Sequence, residues 1–105
     1  MKDATKTVQH VNFWWLKEPG NKEHMEALIQ ASLGMKAIPG VTDVRVGPRV
    51  GMGDSFNNDP YDLGLIVSFE SQEALDIYHP HELHQHTIAI SLKYSAKNEY
   101  FYFYG

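Results

Sequence analysis

The sequence predicts an α+β protein of the ferredoxin-like type, with its elements in the order β-α-β-β-α-β. Four segments rich in β-branched and aromatic residues are typical of strands, and segments with apolar residues at helical spacing lie between them. The first and last strands also carry large apolar side chains at both alternating sets of positions. Both faces of the sheet are therefore expected to be buried.

The first half of the chain predicts a strand followed by a helix. The strand covers Val8 to Lys17 and ends before Pro19 and Gly20. Asn21 suits the N-cap of a helix from about Lys22 to Ala37, because its side-chain oxygen can accept a hydrogen bond from the first helical turn. The residues expected on the buried face of this helix are Met25, Leu28, Ile29 and Leu33.

Two further strands follow the first helix. The segment Ile38 to Gly40 ends the helix, because proline cannot continue it and glycine permits a tight turn. Strands are predicted at Val41 to Val50 and at Asp62 to Glu70. Between them, Gly51 to Pro60 is a long polar loop, which we expect to be structural or to act as a lid.

The last third of the chain predicts a broken helix and a final strand. Ser71 can cap a helix with the sequence QEALDIYHPHELHQHTIAISL. Pro80 lies inside this segment and is expected to kink or split it. The final strand is predicted at Asn98 to Gly105.

The two faces of the predicted sheet need two covers. Helices cover one face, and a second copy of the sheet is the simplest cover for the other, because wide exposed aromatic patches are rare on monomers. We therefore expect a homodimer that associates through its sheets. In the first strand, one face carries Val11, Phe13 and Trp15, and the other carries Asn12, Trp14 and Leu16. In the last strand, one face carries Phe101 and Phe103, and the other carries Tyr100, Tyr102 and Tyr104.

Length and composition exclude several classes of protein. The 105 residues predict a single domain, residues 1–105, with its core over about 8–105. A net charge of −4 argues against nucleic acid and anionic membranes as partners. No apolar run approaches the roughly 18–20 residues that span a bilayer, and no signal region follows the first residues. Without cysteine there is no disulfide or thiolate chemistry. These features predict a cytoplasmic protein.

Three blocks of the sequence resemble the stress-responsive dimeric A/B barrel family, abbreviated Dabb. They are HVNFWWLK in the first strand, IPGV after the first helix, and VSFESQEALDIYHPHELH from Val67 to His84. The likeness runs from about Gln9 to Tyr104. It implies a dimeric α/β barrel, in which two chains pair their sheets and carry the helices outside. The family includes plant stress proteins, bacterial proteins of unassigned role, and a plant polyketide cyclase that forms olivetolic acid.

The resemblance also implies a candidate site. The catalytic tyrosine and histidine of that cyclase fall on Tyr78 and His84, and a histidine of its pocket falls on His10. Trp14 and His81 are further candidate ligand-binding residues. The usual family block is Tyr-x-x-His-Pro-x-His, and here Glu82 replaces the second proline, which puts a carboxylate beside the candidate base and can change its pKa or orientation.

The stretch YHPHELHQH contains four of the six histidines and allows three interpretations. The stretch is a weak candidate for a metal site, because His81 and His84 are three residues apart, whereas the two histidines of the zinc-protease helix are four apart. We therefore predict neither a metal nor a cofactor. As an acid–base pair, His84 abstracts a proton next to a carbonyl and Tyr78 polarises the oxygen, provided that Pro80 redirects the chain so that they meet. As structural residues, Tyr78 and His84 line or plug a cavity, His81 caps or packs, and His79 and His86 are solvated.

Three functions are therefore open. The first is a homodimeric protein that binds a small apolar or aromatic molecule, or protects against stress, without turnover. The second is a cofactor-free enzyme for aldol-type cyclisation or isomerisation that uses Tyr78 and His84. A more remote third rests on fold analogy with cofactor-independent or haem-degrading monooxygenases, whose dimeric barrels are similar although fold does not fix function.

Overall fold

The computed structural model describes residues 6–51 and 59–105 of the chain. Its elements follow the predicted order, and the α+β, ferredoxin-like prediction is confirmed. The elements are β1 (Val8–Leu16), α1 (Lys22–Gly34), a 3-10 turn (Met35–Ala37), β2 (Val41–Pro48), β3 (Leu63–Phe69), α2 (Gln72–Tyr78), α3 (Glu82–Tyr94) and β4 (Ser95–Tyr104).

The strands form one antiparallel sheet in the order β2-β3-β1-β4. Strand β1 therefore lies inside the sheet, and β4 forms one edge. In the register, His10 of β1 lies opposite Val67 of β3 on one side and Tyr102 of β4 on the other. Side chains of strictly opposed residues share a face, so His10 and Tyr102 point to the same side of the sheet.

The core lies between the helices and one face of the sheet. Along β1 every second residue is buried, which is the alternation expected of a strand with one face against the core. In α1, Leu28 is fully buried, and Met25 and Ile29 pack against the core. The expectation for Leu33 is wrong, because its side chain is 44% exposed. The buried face of α1 is centred on Leu28 and continues through Ser32 to Met35 after the helix, which leaves Leu33 at its edge.

Local signals fix the helix ends near the predicted positions. The Asn21 side chain accepts a hydrogen bond from the His24 amide at 3.0 Å, and the Ser71 side chain accepts one from the Ala74 amide at 3.2 Å. Gly40 has a positive φ of 87°, and a Cβ there would collide with Ala74. The turn before β2 therefore requires glycine for both conformation and space.

The predicted break at Pro80 separates two helices. Helix α2 ends at Tyr78 and α3 begins at Glu82. The His81 imidazole Nδ1 accepts a hydrogen bond from the Leu83 amide at 3.1 Å and caps α3. Because the chain turns between the helices, residues on both sides of the break can face the same space.

The last strand begins earlier than predicted. Strand β4 starts at Ser95, directly after α3, and not at Asn98. The residues from Ser95 to Lys97 have little intrinsic strand preference, but pairing with β1 extends the strand to them, since Leu16 lies opposite Ser95. Tertiary pairing thus overrides local propensity at this end of β4.

The second face of the sheet carries apolar side chains that none of the described helices covers. Val11, Phe13 and Trp15 are half-buried on it, and Phe101 and Phe103 of the edge strand are exposed. Within the described residues no helix is both long and apolar enough to span a membrane. The predicted loop from Gly51 to Pro60 falls largely on residues 52–58, which lie outside the described part of the chain.

Candidate functional site

A cavity of about 230 Å³ lies between α2, α3 and the sheet. Four of the five residues predicted for the site line it, and these are His10, Trp14, Tyr78 and His84. The fifth, His81, is not among its lining residues and serves as the N-cap of α3. The cavity is smaller than the roughly 300–1,000 Å³ of sites for drug-sized ligands, which favours a compact ligand.

Tyr78 and His84 meet inside this cavity. Their rings are stacked, with centroids 4.1 Å apart and an angle of 28° between the planes. Tyr78 is the last residue of α2 and His84 lies in the first turn of α3, so the break at Pro80 brings them together. Tyr78 is only 1% exposed and also packs edge-on against Phe69. The pair is in ring contact rather than joined by a hydrogen bond between its polar atoms.

The hydrogen bond of His84 determines which of its nitrogens is basic. Its Nδ1 lies 2.9 Å from the carbonyl oxygen of His79. A carbonyl oxygen only accepts, so Nδ1 carries the proton and donates it, and in the neutral ring Nε2 retains a free lone pair. Burial lowers the pKa of His84, an effect that the bond to the His79 carbonyl partly opposes. The neutral, basic form is therefore the major form at neutral pH.

His10 forms the base of the cavity on the sheet side. It is 6% exposed, and its ring lies 4.6 Å from that of Tyr102 and 6.0 Å from that of Tyr78. Within the described residues its Nδ1 has no hydrogen-bond partner. Burial, together with the imidazoles of His84 and His79, lowers the pKa of His10 to about 4. At neutral pH this ring is uncharged.

Tyr78 keeps its hydroxyl proton. Burial raises the pKa of Tyr78 above its ordinary value, with a smaller contribution from Tyr102. Among the described residues, none hydrogen-bonds to its hydroxyl group. A neutral phenol beside a neutral imidazole gives the cavity one proton donor and one proton acceptor to which no described residue hydrogen-bonds.

Sequence reasoning missed several residues of the site. His79 Nε2 lies 3.2 Å from the Tyr102 hydroxyl, and this contact joins the helix break to the edge strand at one end of the cavity. Asn12 and Asn98 line the other end. The strand alternation separated Asn12 and Tyr102 from their apolar neighbours, but it did not decide which face the helices cover and gave no reason to select these two over other polar residues.

Trp14 closes the cavity without filling it. Its indole Nε1 donates to the Ser91 hydroxyl at 2.9 Å, which fixes the ring between β1 and α3. Trp15 points to the opposite face of the sheet, where its Nε1 donates to the Asp59 carbonyl at 3.0 Å. In residues 6–51 and 59–105, no three side chains of His, Asp or Glu are grouped so that they could hold a metal ion.

The lowered pKa of His10 predicts a loss of stability in acid. An unfolded histidine titrates near 6.5, whereas His10 in the folded protein titrates near 4, so between these values only the unfolded state binds the proton. The contribution of His10 to the free energy of unfolding is therefore fully present above about pH 6.5 and is lost as the pH decreases towards 4. Between pH 7 and pH 4.5, the free energy of unfolding of the His10→Phe variant should therefore fall by roughly 2 kcal/mol less than that of the parent protein, measured by urea unfolding.

The matched control for this experiment is His86→Gln. His86 is exposed on α3, so its variant should lose as much stability in acid as the parent protein. An acid loss that is the same in His10→Phe as in the parent would show that His10 is not the responsible group.

A sequence profile of the stress-responsive A/B barrel domain, Dabb, matches residues 8–101. The chain belongs to the Dabb family. The resemblance seen in the three sequence blocks is thereby confirmed, and the match covers all of the strands except the end of β4. No curated protein sequence matches this Dabb chain.

Solved structures share the fold of this Dabb chain at low sequence identity. A dimeric ferredoxin-like protein of unknown function from Thermobifida fusca is 16% identical, with a TM-score of 0.82 over 100% of this chain and 99% of that one. A Dabb family protein from Mesorhizobium loti is 17% identical, with a TM-score of 0.76 over 93% and 95%. A hydroxynitrile lyase from Passiflora edulis is 13% identical, with a TM-score of 0.82 over 96% and 94%. These similarities establish the fold.

Proposed function

We propose that this Dabb chain forms a homodimer and binds a small, largely apolar or aromatic molecule in the cavity lined by His10, Tyr78 and His84. The observation that carries the proposal is a pair of polar groups in the cavity to which no described residue hydrogen-bonds. They are the Nε2 of His84, whose Nδ1 is held by the His79 carbonyl, and the Tyr78 hydroxyl. Aromatic side chains form much of the wall and favour a flat ligand, which can stack on them. That the protein is cytoplasmic stays a prediction.

The two tryptophans of the chain allow ligand binding to be tested with an internal control. Trp14 lines the cavity, whereas Trp15 lies on the opposite face of the sheet. Titration with acetophenone, a small aromatic ketone, should shift the indole N–H signal of Trp14 in the ¹H–¹⁵N NMR spectrum and leave that of Trp15 in place. No shift of the Trp14 signal at millimolar probe would contradict binding in this cavity.

The uncovered face of the sheet supports the homodimer. Val11 and Phe13 lie near its middle, and Phe101 and Phe103 are exposed at its edge. Solved neighbours of the same fold, including the Thermobifida fusca protein, are dimeric. Pairing of two such faces removes a continuous apolar surface from water, which is the main driving force for association.

A charge in the middle of this face should separate the dimer. Val11→Asp places a carboxylate where a second sheet would have to desolvate it, at a cost of several kcal/mol. We expect the variant to sediment as a monomer in analytical ultracentrifugation at micromolar concentration, with the parent protein as a dimer. The control is Lys36→Asp, an exposed residue of the 3-10 turn away from the sheet. A dimeric Val11→Asp protein would exclude this face as the interface.

A second candidate function is cofactor-free proton transfer on a carbonyl compound. It is favoured by the tautomer of His84, since the free Nε2 can accept a proton from the carbon next to a carbonyl. The Tyr78 hydroxyl can then donate a hydrogen bond to the enolate oxygen, which carries the developing negative charge. Return of the proton from His84 to a different carbon or to the opposite face completes an isomerisation. In an aldol cyclisation the enolate carbon attacks a second carbonyl, and the alkoxide that forms takes the proton from His84. One solved neighbour is a hydroxynitrile lyase, so a chain of this fold can be an enzyme.

A further inference from the structure

The cavity runs parallel to β1 and α3 and has two different ends. Along β1 its floor passes from His10 through Asn12 to Trp14, and His84 and Ser91 of α3 line the opposite wall. At about 3.3 Å per strand residue and 1.5 Å per helical residue, the ends are roughly 10–13 Å apart. One end carries the imidazoles and the Tyr78 phenol, and the other carries amide and hydroxyl groups.

Asn98 of the edge strand provides the polar group at the second end. It lies opposite Trp14 in the sheet and is exposed, and its Nδ2 donates to the Asn12 carboxamide oxygen at 3.0 Å. In this arrangement its own Oδ1 has no partner among the described residues. A hydrogen-bonding atom of Asn98 is therefore open at the side of the cavity that reaches solvent.

Asn98 has a hydrogen-bonding atom without a described partner whichever way the Asn12 amide is oriented. If that amide is turned by 180°, its nitrogen reaches the Glu99 carbonyl at 3.3 Å and its oxygen reaches the Trp14 Nε1 at 3.3 Å. Asn98 must then turn its oxygen towards the Asn12 nitrogen, and its own nitrogen becomes the open atom. In the turned orientation the Asn12 amide and the Trp14 indole both have partners within the protein. Asn98 has one polar atom without a partner among the described residues in either orientation.

We propose that Asn98 determines specificity by binding a hydroxyl group at the far end of the ligand, an inference that rests on the small-molecule function proposed above. A hydroxyl both donates and accepts, so it suits either orientation of the Asn98 amide. The ligand class is then a single-ring aromatic carbonyl compound whose carbonyl faces Tyr78 and His84 and whose ring hydroxyl faces Asn98. The cavity volume of about 230 Å³ suits one ring with short substituents.

The test compares acetophenone with its 3-hydroxy and 4-hydroxy derivatives as probes. With the parent protein, at least one hydroxylated probe should bind about tenfold more tightly than acetophenone, measured by isothermal titration calorimetry. In Asn98→Leu, which keeps the size of the side chain and removes its hydrogen bond, this preference should disappear, so that the hydroxylated probes bind about as tightly as acetophenone does to the same variant. Lys97→Leu, a change at the neighbouring strand position, should keep the preference.

Four outcomes would overturn the proposal, and they identify which step fails. Equal binding of all three probes to the parent protein, or a preference that survives in Asn98→Leu, would remove the role of Asn98 and leave the small-molecule function standing. Binding of none of the probes, with an unshifted Trp14 indole signal, would overturn the small-molecule function and this inference together. A Lys97→Leu protein that loses the preference as Asn98→Leu does would show that the effect is not specific to the Asn98 amide.

Discussion

His84→Gln is expected to reduce the proposed proton-transfer activity by about 100-fold or more. A positioned general base contributes roughly 10²–10⁴-fold to such a reaction. The glutamine amide can still donate a hydrogen bond towards the His79 carbonyl, but it has no basic nitrogen to replace Nε2. The loss of rate therefore reports on the base and not on the position of the side chain.

The activity can be measured before the natural substrate is known. In D₂O, removal and return of a proton next to a carbonyl exchanges hydrogen for deuterium, and the methyl signal of 4-hydroxyacetophenone in the ¹H NMR spectrum follows this exchange. The parent protein should accelerate exchange over buffer, and His84→Gln should return the rate close to that of buffer. The lowered pKa of His84 places the basic form at neutral pH, so the rate should fall as the pH decreases below the folded pKa.

The control is the same substitution two residues further along α3. His86 is exposed and does not line the cavity, so His86→Gln should keep the activity of the parent protein. Equal exchange rates for the parent protein and His84→Gln would rule out His84 as the base. Ligand binding without any exchange in the parent protein would favour the binding function over the enzymatic one.

Tyr78→Ala is expected to give the largest loss of stability. The side chain is almost completely buried, stacks on His84 and packs edge-on against Phe69. Truncation of a buried aromatic side chain typically costs about 3–5 kcal/mol, because the transfer free energy is lost and a cavity remains. Since small domains are stable by only roughly 5–15 kcal/mol, the variant should unfold at a much lower urea concentration.

Two variants separate packing from chemistry at this position. Tyr78→Phe keeps the ring and removes a hydroxyl without a partner among the described residues, so stability should change by less than about 1 kcal/mol. Tyr104→Ala removes an exposed tyrosine of the edge strand and should cost less than Tyr78→Ala by at least about 2 kcal/mol. If both alanine variants lose the same stability, Tyr78 is not a central residue of the core.

A reduced exchange rate in Tyr78→Phe would then have a simple meaning. Because stability is preserved, the loss would report on the hydroxyl that polarises the carbonyl. An unchanged rate would leave His84 as the base and assign the stabilisation of the enolate oxygen to another group. His10 is the next candidate, since it is neutral, buried and in ring contact with Tyr78.

Much of the fold was already determined by the sequence. The β-α-β-β-α-β order, the caps at Asn21 and Ser71 and the break at Pro80 depend on residues close together in the chain. Strand periodicity likewise predicted the two apolar faces of β1, because side chains alternate whatever the surroundings. Such signals are local, so they can be recognised without knowing which elements pack together.

Residues distant in sequence decided the rest, and only the tertiary structure brings them together. Leu33 is exposed because the sheet contacts another part of α1, and β4 begins at Ser95 because it pairs with β1. The basic nitrogen of His84 is fixed by the His79 carbonyl across the helix break, and Asn98 reaches the cavity only because β4 lies beside β1. The sequence alone thus determined which residues are candidates, whereas packing determined their burial, hydrogen-bond partners and protonation.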